Sequence, residues 1–358
     1  MRIASVQSSR VFIPYRAPFG PYLGSWGPAT GTLGAASLVV EVTTDDGISG
    51  WGESNGEVRP DLTAIMAGAD PFNLEAILHF LRARDVSRHT RSAVEMALWD
   101  IMGKATRKPV AALLGGRFRQ KVEMCACQGI TEPVHAGDIA QAAVQGWGFR
   151  TLKTKAGLSE EQDAAIIRSM RSAVGPAIAL RPDPNTAYKV DEARRLMPAY
   201  REVGVQYVED PCHASDLANW TALRREFGVP LALNMGVGSL GDVVRLGSAT
   251  HAIDVWLPDP TSAGGILEVK KIAHFADAVG VACGMHCAHD MGIKTAAVVH
   301  IAASSPSFTL ACDTLYHALE DDVLDVPLSI TDGAIDVPSL PGLGIQVDRD
   351  KVARYRVE

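Results

Sequence analysis

The chain has 358 residues, 47% of them hydrophobic, and a formal net charge of −7. That length exceeds one ordinary core and suits a large barrel plus a smaller domain, while the negative balance supplies no basic field to hold nucleic acid or anionic lipid. No apolar run nears the roughly 20 residues of a membrane span, the N-terminus lacks a signal-peptide apolar core, and the six cysteines (Cys125, Cys127, Cys212, Cys283, Cys287, Cys312) form no CxxC pair or dense disulfide framework, so a cytoplasmic protein with buried, reduced thiols is expected.

The first part of the chain reads as strands. SLVVEVTTDDGISGWGE holds two β-rich runs around Asp46-Gly47, a strong hairpin signal. Before it, APFGPYLGSWGPATG is a Gly-rich stretch bearing Tyr22 and Trp26, the pattern of a flexible lid with aromatics that closes over a substrate. Helical patterns follow: LTAIMAGA, LEAILHFLRAR, and SAVEMALWDIMGKATRKPVAALLGG. In the last, Ser92 and Glu95 have the spacing of a capping box, and Gly115-Gly116 ends the region. Residues 1–120 therefore read as an α+β domain.

From Val122 a rhythm appears. VEMCACQGI, TLKTKAG, AIALRPDPN, VQYVEDP, PLALNMGV, AIDVWLPDP, GVACGMHC and FTLACDT are eight β-like runs, most of them separated by helical patterns. Eight β units alternating with helices predict a parallel (β/α)8-type barrel over residues 121–329, with its active site at the C-terminal ends of the strands. The turn-rich tail, 330–358, is expected to pack back on the N-terminal domain.

Polar groups gather at those strand ends. In TLKTKAG, Lys153 and Lys155 are two apart and so share one face of a strand. The third run ends with Asp183 and Asn185, the fourth with Glu209 and Asp210; the fifth carries Asn234, the sixth Asp259, the seventh His286 and the eighth Asp313. Taken singly, each has a bland reading: an edge-strand lysine, an Asp–Pro turn, a helix cap. Their joint occurrence on seven consecutive strand ends does not follow from such independent causes. Asp183, Glu209 and Asn234 offer three hard oxygen ligands suited to Mg²⁺, and no zinc-type Cys/His spacing is present. A divalent cation facing paired lysines makes a site for a carboxylate. The cation and one lysine neutralise it, and the second lysine, beside a like charge and shielded from water, can take a proton from the adjacent carbon. His286 can work the opposite face, with Asp259 holding the other imidazole nitrogen.

With these motifs, and with PDPTSAGGI and the closing PGLGI, the chain resembles the enolase superfamily over nearly its whole length, specifically the mandelate racemase/muconate lactonizing enzyme branch. The resemblance implies an N-terminal α+β capping domain over a modified (β/α)7β barrel, and an Mg²⁺-stabilised enediolate intermediate. It also implies Lys155 as base on one face and the His286–Asp259 dyad on the other, Lys153 near the substrate carboxylate and Asp313 hydrogen-bonded to it. Many relatives have Glu as third metal ligand; the Asn in LALNMGVG is similar to the glucarate dehydratase-like subgroup, as is His289 after GMHCAH, a further substrate-side residue together with Asn185. A homo-oligomer is implied by resemblance alone.

The expected function is therefore Mg²⁺-dependent removal of the proton α to a carboxylate, dehydrating an acid sugar (aldonate or aldarate) to a 2-keto-3-deoxy acid. A racemase or epimerase of a 2-hydroxy acid or amino-acid derivative would use the same two bases. A non-catalytic barrel that binds a small anion would leave gaps in the constellation, and there are none.

Overall fold

The computed structural model describes residues 1–26, 30–215, 217–247 and 251–357. The chain opens with an antiparallel meander of β1 (Ile3–Pro14), β2 (Gly34–Thr44) and β3 (Ser49–Ser54). Gly47, in the left-handed region at φ +85°, makes the hairpin turn between β2 and β3. One face of the sheet is covered by α1 (Leu62–Met66), α2 (Leu74–Arg82) and α3 (Arg88–Thr106), with α4 (Val110–Leu113) after them. Leu38, Val40, Val42, Leu81, Ala93, Ala97 and Ile101 fill the layer between. The glycines of Gly-Trp-Gly let α3 lie directly on β3: a Cβ at Gly50 would stand 2.1 Å from Ala97 O, and one at Gly52 1.8 Å from Ala93 O.

The start of α3 departs from the sequence expectation. Ser87, not Ser92, caps it, its Oγ accepting from the Thr90 amide at 3.1 Å. Ser92 Oγ and Glu95 reach the second half of the molecule instead: Ser92 donates to Pro260 O at 2.9 Å, and Glu95 accepts from the Leu267 amide at 2.9 Å. A residue four positions inside a helix has its amide already bonded, so a capping pattern there has no orphan amide to serve.

Eight parallel strands follow: β4 (Lys121–Gln128), β5 (Thr151–Lys155), β6 (Ala179–Asp183), β7 (Val208–Glu209), β8 (Leu231–Leu233), β9 (Val255–Trp256), β10 (Ala282–Cys283) and β11 (Cys312–Thr314). They form two ladders, β11-β4-β5-β6 and β7-β8-β9-β10. Backbone bonds outside the ladders close the seams, among them Gln206 N to Leu180 O (2.9 Å) and Asp313 N to Met285 O (2.8 Å). Between strands run α5 (Pro133–Trp147), α6 (Glu160–Val174), α7 (Val190–Glu202), α8 (Leu217–Phe227), α9 (Leu240–Leu246), the short α10 (Pro260–Ala263) with α11 (Ile266–Val279), and α12 (Gly292–Ala303). Directly after β11 a 3₁₀ turn at Tyr316–Ala318 stands in place of an eighth barrel helix, so the barrel is (β/α)7β. The tail divides: β12 (Ala334–Asp336) pairs with β4, whereas β13 (Arg356–Val357), after α13 (Arg349–Arg354), pairs with β1.

All six cysteines are buried and unbridged. Among the described residues, no helix is long and apolar enough to cross a membrane.

Candidate active site

The two-residue period of β5 sends both lysines inward, where Lys153 and Lys155 are 1% and 4% exposed. Lys153 Nζ donates to Glu209 Oε2 (2.7 Å) and Asp313 Oδ2 (2.8 Å) and lies 3.1 Å from Asp183 Oδ2. Lys155 Nζ donates to Asp183 Oδ2 (2.6 Å) and to Asn185 Oδ1 (2.7 Å). The parallel register sets Lys155 opposite Asp183. Burial works against the Lys153 ammonium, but the charges of Asp183, Asp313 and Glu209 outweigh it and hold its proton more firmly than usual. Asp183, despite burial, is held well below the usual carboxylate range by Lys153 and Lys155. Burial, followed by the charge of Asp183, pushes Glu209 up. Burial also raises Asp313, against the lowering charge of Lys153.

The donor set fits a divalent cation. Glu209 Oε1 is buried without a hydrogen-bond partner, and carboxylate oxygens of Asp183, Glu209 and Asp210 lie within 4.8 Å of one another. All are hard oxygen donors of the kind magnesium takes. Asp210 is occupied otherwise as well: its two oxygens accept from the Asn234 and Met235 amides at 3.1 and 3.0 Å, fixing the turn that carries Asn234. The Asn234 side chain donates through Nδ2 to Leu257 O at 3.0 Å, which leaves Oδ1 as the opposite end of the amide. A cavity of about 730 Å³ opens beside Asn234, lined also by Thr186, His213, Met235 and Arg245.

Further round the barrel mouth, His286 Nδ1 stands 3.3 Å from Asp259 Oδ2. Asp259 doubles as the cap of α10, its Oδ1 accepting from the Thr261 and Ser262 amides at 2.7 and 3.3 Å. With Nδ1 engaged, Nε2 is the ring nitrogen left for a substrate.

The lid aromatics separate. Trp26 is 61% exposed, and its indole Nε1 donates to Asn185 Oδ1 at 2.9 Å, the same oxygen that accepts from Lys155. Tyr22 is not a solvent-facing lid ring: it is 4% exposed, part of the main core, and packs edge-on against His289. Gly27, Pro28 and Ala29 of the expected lid lie outside the described residues. His289 is bonded through Nδ1 to the Tyr15 hydroxyl, and burial, with the charges of Lys155 and His286, lowers it to about 4.

Sequence reasoning missed a buried group behind the dyad. Lys294 Nζ lies 2.9 Å from Asp259 Oδ2 and 2.7 Å from Asp290 Oδ1. A lysine in the mostly apolar run GIKTAAVVHIAA was the available signal. Also missed were Tyr15 and the reach of Glu53, the last carboxylate of β3. Its oxygens accept from the Met291 and Lys294 amides at 2.7 and 2.8 Å, so it caps α12 from the N-terminal half.

Two family models match the chain, "Mandelate racemase / muconate lactonizing enzyme, N-terminal domain" over residues 26–115 and "Enolase C-terminal domain-like" over 135–351. The chain is similar to D-galactarolactone cycloisomerase of Agrobacterium fabrum, with 30% identity over 90% of this chain and 92% of that one. It is also 30% identical to a probable glucarate dehydratase of Streptomyces coelicolor, over 88% and 83% of the two chains. Among solved structures, an enolase from Thermobispora bispora complexed with magnesium and formate superposes with a TM-score of 0.88 at 29% identity, covering 99% of this chain and 92% of that one. The fold, the matched models and these relatives place the chain in the mandelate racemase/muconate lactonizing enzyme family of the enolase superfamily.

Proposed function

We propose that this enzyme is a carbon–oxygen lyase that dehydrates an acid sugar to a 2-keto-3-deoxy acid, beginning with removal of the proton α to the carboxylate. The supporting observation is that two proton-handling groups stand at barrel strand ends, Lys155 on Asp183 of a buried carboxylate cluster and His286 on Asp259. Asp183, Glu209 and Asn234 would hold a magnesium ion, which when bound supplies positive charge against the substrate carboxylate as its α-carbon loses a proton. Lys153 pairs with the substrate carboxylate, and Asp313 hydrogen-bonds it. Asn185, which already receives both Lys155 and Trp26, orients the base and the lid against the substrate. Lys155 Nζ removes the α-proton from one face. His286 Nε2 gives a proton to the β-hydroxyl, which leaves as water, and the resulting enol tautomerises to the 2-keto acid. For the opposite α-configuration, the two residues exchange roles. The cavity beside Asn234 gives room for the hydroxyl-bearing remainder of the substrate. An acid sugar is favoured because the two 30%-identical relatives are named for galactarolactone and glucarate.

The test is a screen of mono- and diacid sugars with Mg²⁺, reading 2-keto acid formation. Lys155→Ala and His286→Asn are then examined for α-proton exchange in deuterated solvent. Both variants should lose product formation by about 10²–10⁴-fold, and the one that keeps the abstracting base should still exchange the α-proton. Exchange in the native enzyme with the compound otherwise conserved would instead identify a racemase or epimerase. Near-native turnover in both variants would sink the two-base mechanism.

A further inference from the structure

We propose that Lys294 and Asp290 are positioning residues that set the proton on His286, Lys294 disfavouring the imidazolium and Asp290 favouring it. Two side-chain nitrogens converge on a single oxygen: Lys294 Nζ at 2.9 Å and His286 Nδ1 at 3.3 Å from Asp259 Oδ2. Asp259 cannot turn its other oxygen to the imidazole, because Oδ1 is bound to the Thr261 and Ser262 amides. The charge that orients His286 is therefore shared with a fully buried lysine. Asp290 closes the group from the far side of Lys294, with Oδ1 also accepting from the Ala288 amide at 3.1 Å.

Counting charge shows what this does. With His286 neutral, Asp259, Asp290 and Lys294 leave one net negative charge in a water-poor place. With His286 protonated the cluster is neutral. By this count Asp290 supplies the surplus negative charge that a proton on His286 would neutralise; burial pushes the Asp290 carboxyl up, and the Lys294 ammonium beside it pulls it down. Without Asp290 the cluster is neutral around a neutral imidazole; without Lys294 two unscreened carboxylates draw the proton more strongly. Against burial, Asp259 and Asp290 hold the Lys294 ammonium well above its ordinary value, so it stays a fixed charge. Other charged or titratable groups facing this cluster are His289 and Cys287 on the same loop, Tyr15 beyond β1, Asp313 of β11, Lys155 of β5, Glu53 of β3, and His89 and Arg88 of α3. All stay in place in the variants below.

The inference rests on the reading of His286 as an acid–base group, but its test needs no substrate. Histidine-labelled protein is titrated by NMR from about pH 5 to 9 in magnesium-free buffer, with the His286 imidazole signal identified by its loss in His286→Asn. Asp290→Asn should lower the His286 midpoint by about one pH unit or more and Lys294→Met should raise it by a similar amount. Lys294→Arg should leave it near the native value, and the Asp290→Asn/Lys294→Met double variant should return it toward that value. Opposite shifts with a compensating double variant support the proposal. A midpoint unmoved by Asp290→Asn, or moved the same way by both single variants, overturns it. If Lys294→Met does not fold, Asp290→Asn and the double variant decide by the same criteria. Failure of the sugar-acid screen alongside these shifts would overturn the proposed reaction and leave the positioning role standing.

Discussion

His317 is predicted to make the enzyme lose stability in mild acid, and replacing it by leucine should remove that loss. The ring is 3% exposed and boxed by Phe19, Trp147 and Phe149, with ring centroids 4.8, 5.4 and 5.0 Å away. Neither ring nitrogen has a hydrogen-bond partner. Burial lowers the imidazole from 6.5 to about 4. The folded protein therefore binds fewer protons than the unfolded chain between about pH 4 and 6.5, and stability rises with pH across that window. With those two values, His317 alone costs about 2 kcal/mol at pH 5 relative to pH 8, and about 3 kcal/mol at pH 4. At pH 8 the leucine variant loses three edge-on ring contacts, about 0.5–1.5 kcal/mol each. It also loses two unpaired buried nitrogens, a gain of about 1–3 kcal/mol each, so that difference is small. The pH-dependent part is separable from it. Urea unfolding of both proteins at pH 8 and pH 5 gives the two differences, and acid-sensitive groups common to both, such as His289 and His300, cancel. The variant should gain about 2 kcal/mol on its parent between pH 8 and pH 5. An equal difference at the two pH values would refute the reasoning. Because Phe19 lies at the base of the segment that carries Trp26, the same titration should loosen the anchor of that segment on the barrel.

Asn234→Asp adds a negative charge at the proposed metal site. Calorimetric titration should show magnesium bound about tenfold more tightly or better, with slower turnover of the identified substrate; unchanged affinity would remove Asn234 from the ligand set. Trp26→Ala, at an exposed ring held by one hydrogen bond, should raise KM several-fold, on the order of the loss of one such bond, with the melting temperature unchanged. Tyr22→Ala should instead cost about 3 kcal/mol or more of stability, as for other buried aromatic rings. If Trp26→Ala lowers the melting temperature or Tyr22→Ala does not, the division of these two rings between substrate and core is wrong.

Strand-borne features were legible in the sequence because a strand's period is short and its direction fixed. Lys153 and Lys155 point inward together as their spacing requires, and the eight β-like runs become eight barrel strands. Features that depend on which distant surfaces meet were not. Ser92 and Glu95 have the spacing of a local cap, but α3 already starts at Arg88, and what their side chains meet, Pro260 and Leu267, lies about 170 residues away. Tyr22 sits in a stretch whose glycines and prolines suggest exposure, yet it is buried because His289 stands beneath it. For Lys294 the lysine itself was visible, but nothing in its helix pattern shows that Asp259 of another strand end meets it together with the neighbouring Asp290.

Glu53 and Glu95 carry a consequence for how such enzymes can be rebuilt. Each belongs to the N-terminal half, and each places a buried carboxylate at the start of a barrel helix, Glu53 on α12 and Glu95 on α11. Those helices follow β10 and β9, the strands that lead to His286 and Asp259. The two halves are therefore not interchangeable parts joined by a linker. A chimera that brings a foreign N-terminal half to this barrel, to recruit a different lid, would leave helix-start amides buried without acceptors unless the donor supplies carboxylates at both places. Its first defect would appear at the His286–Asp259 side of the mouth, while the Lys155 side kept its geometry.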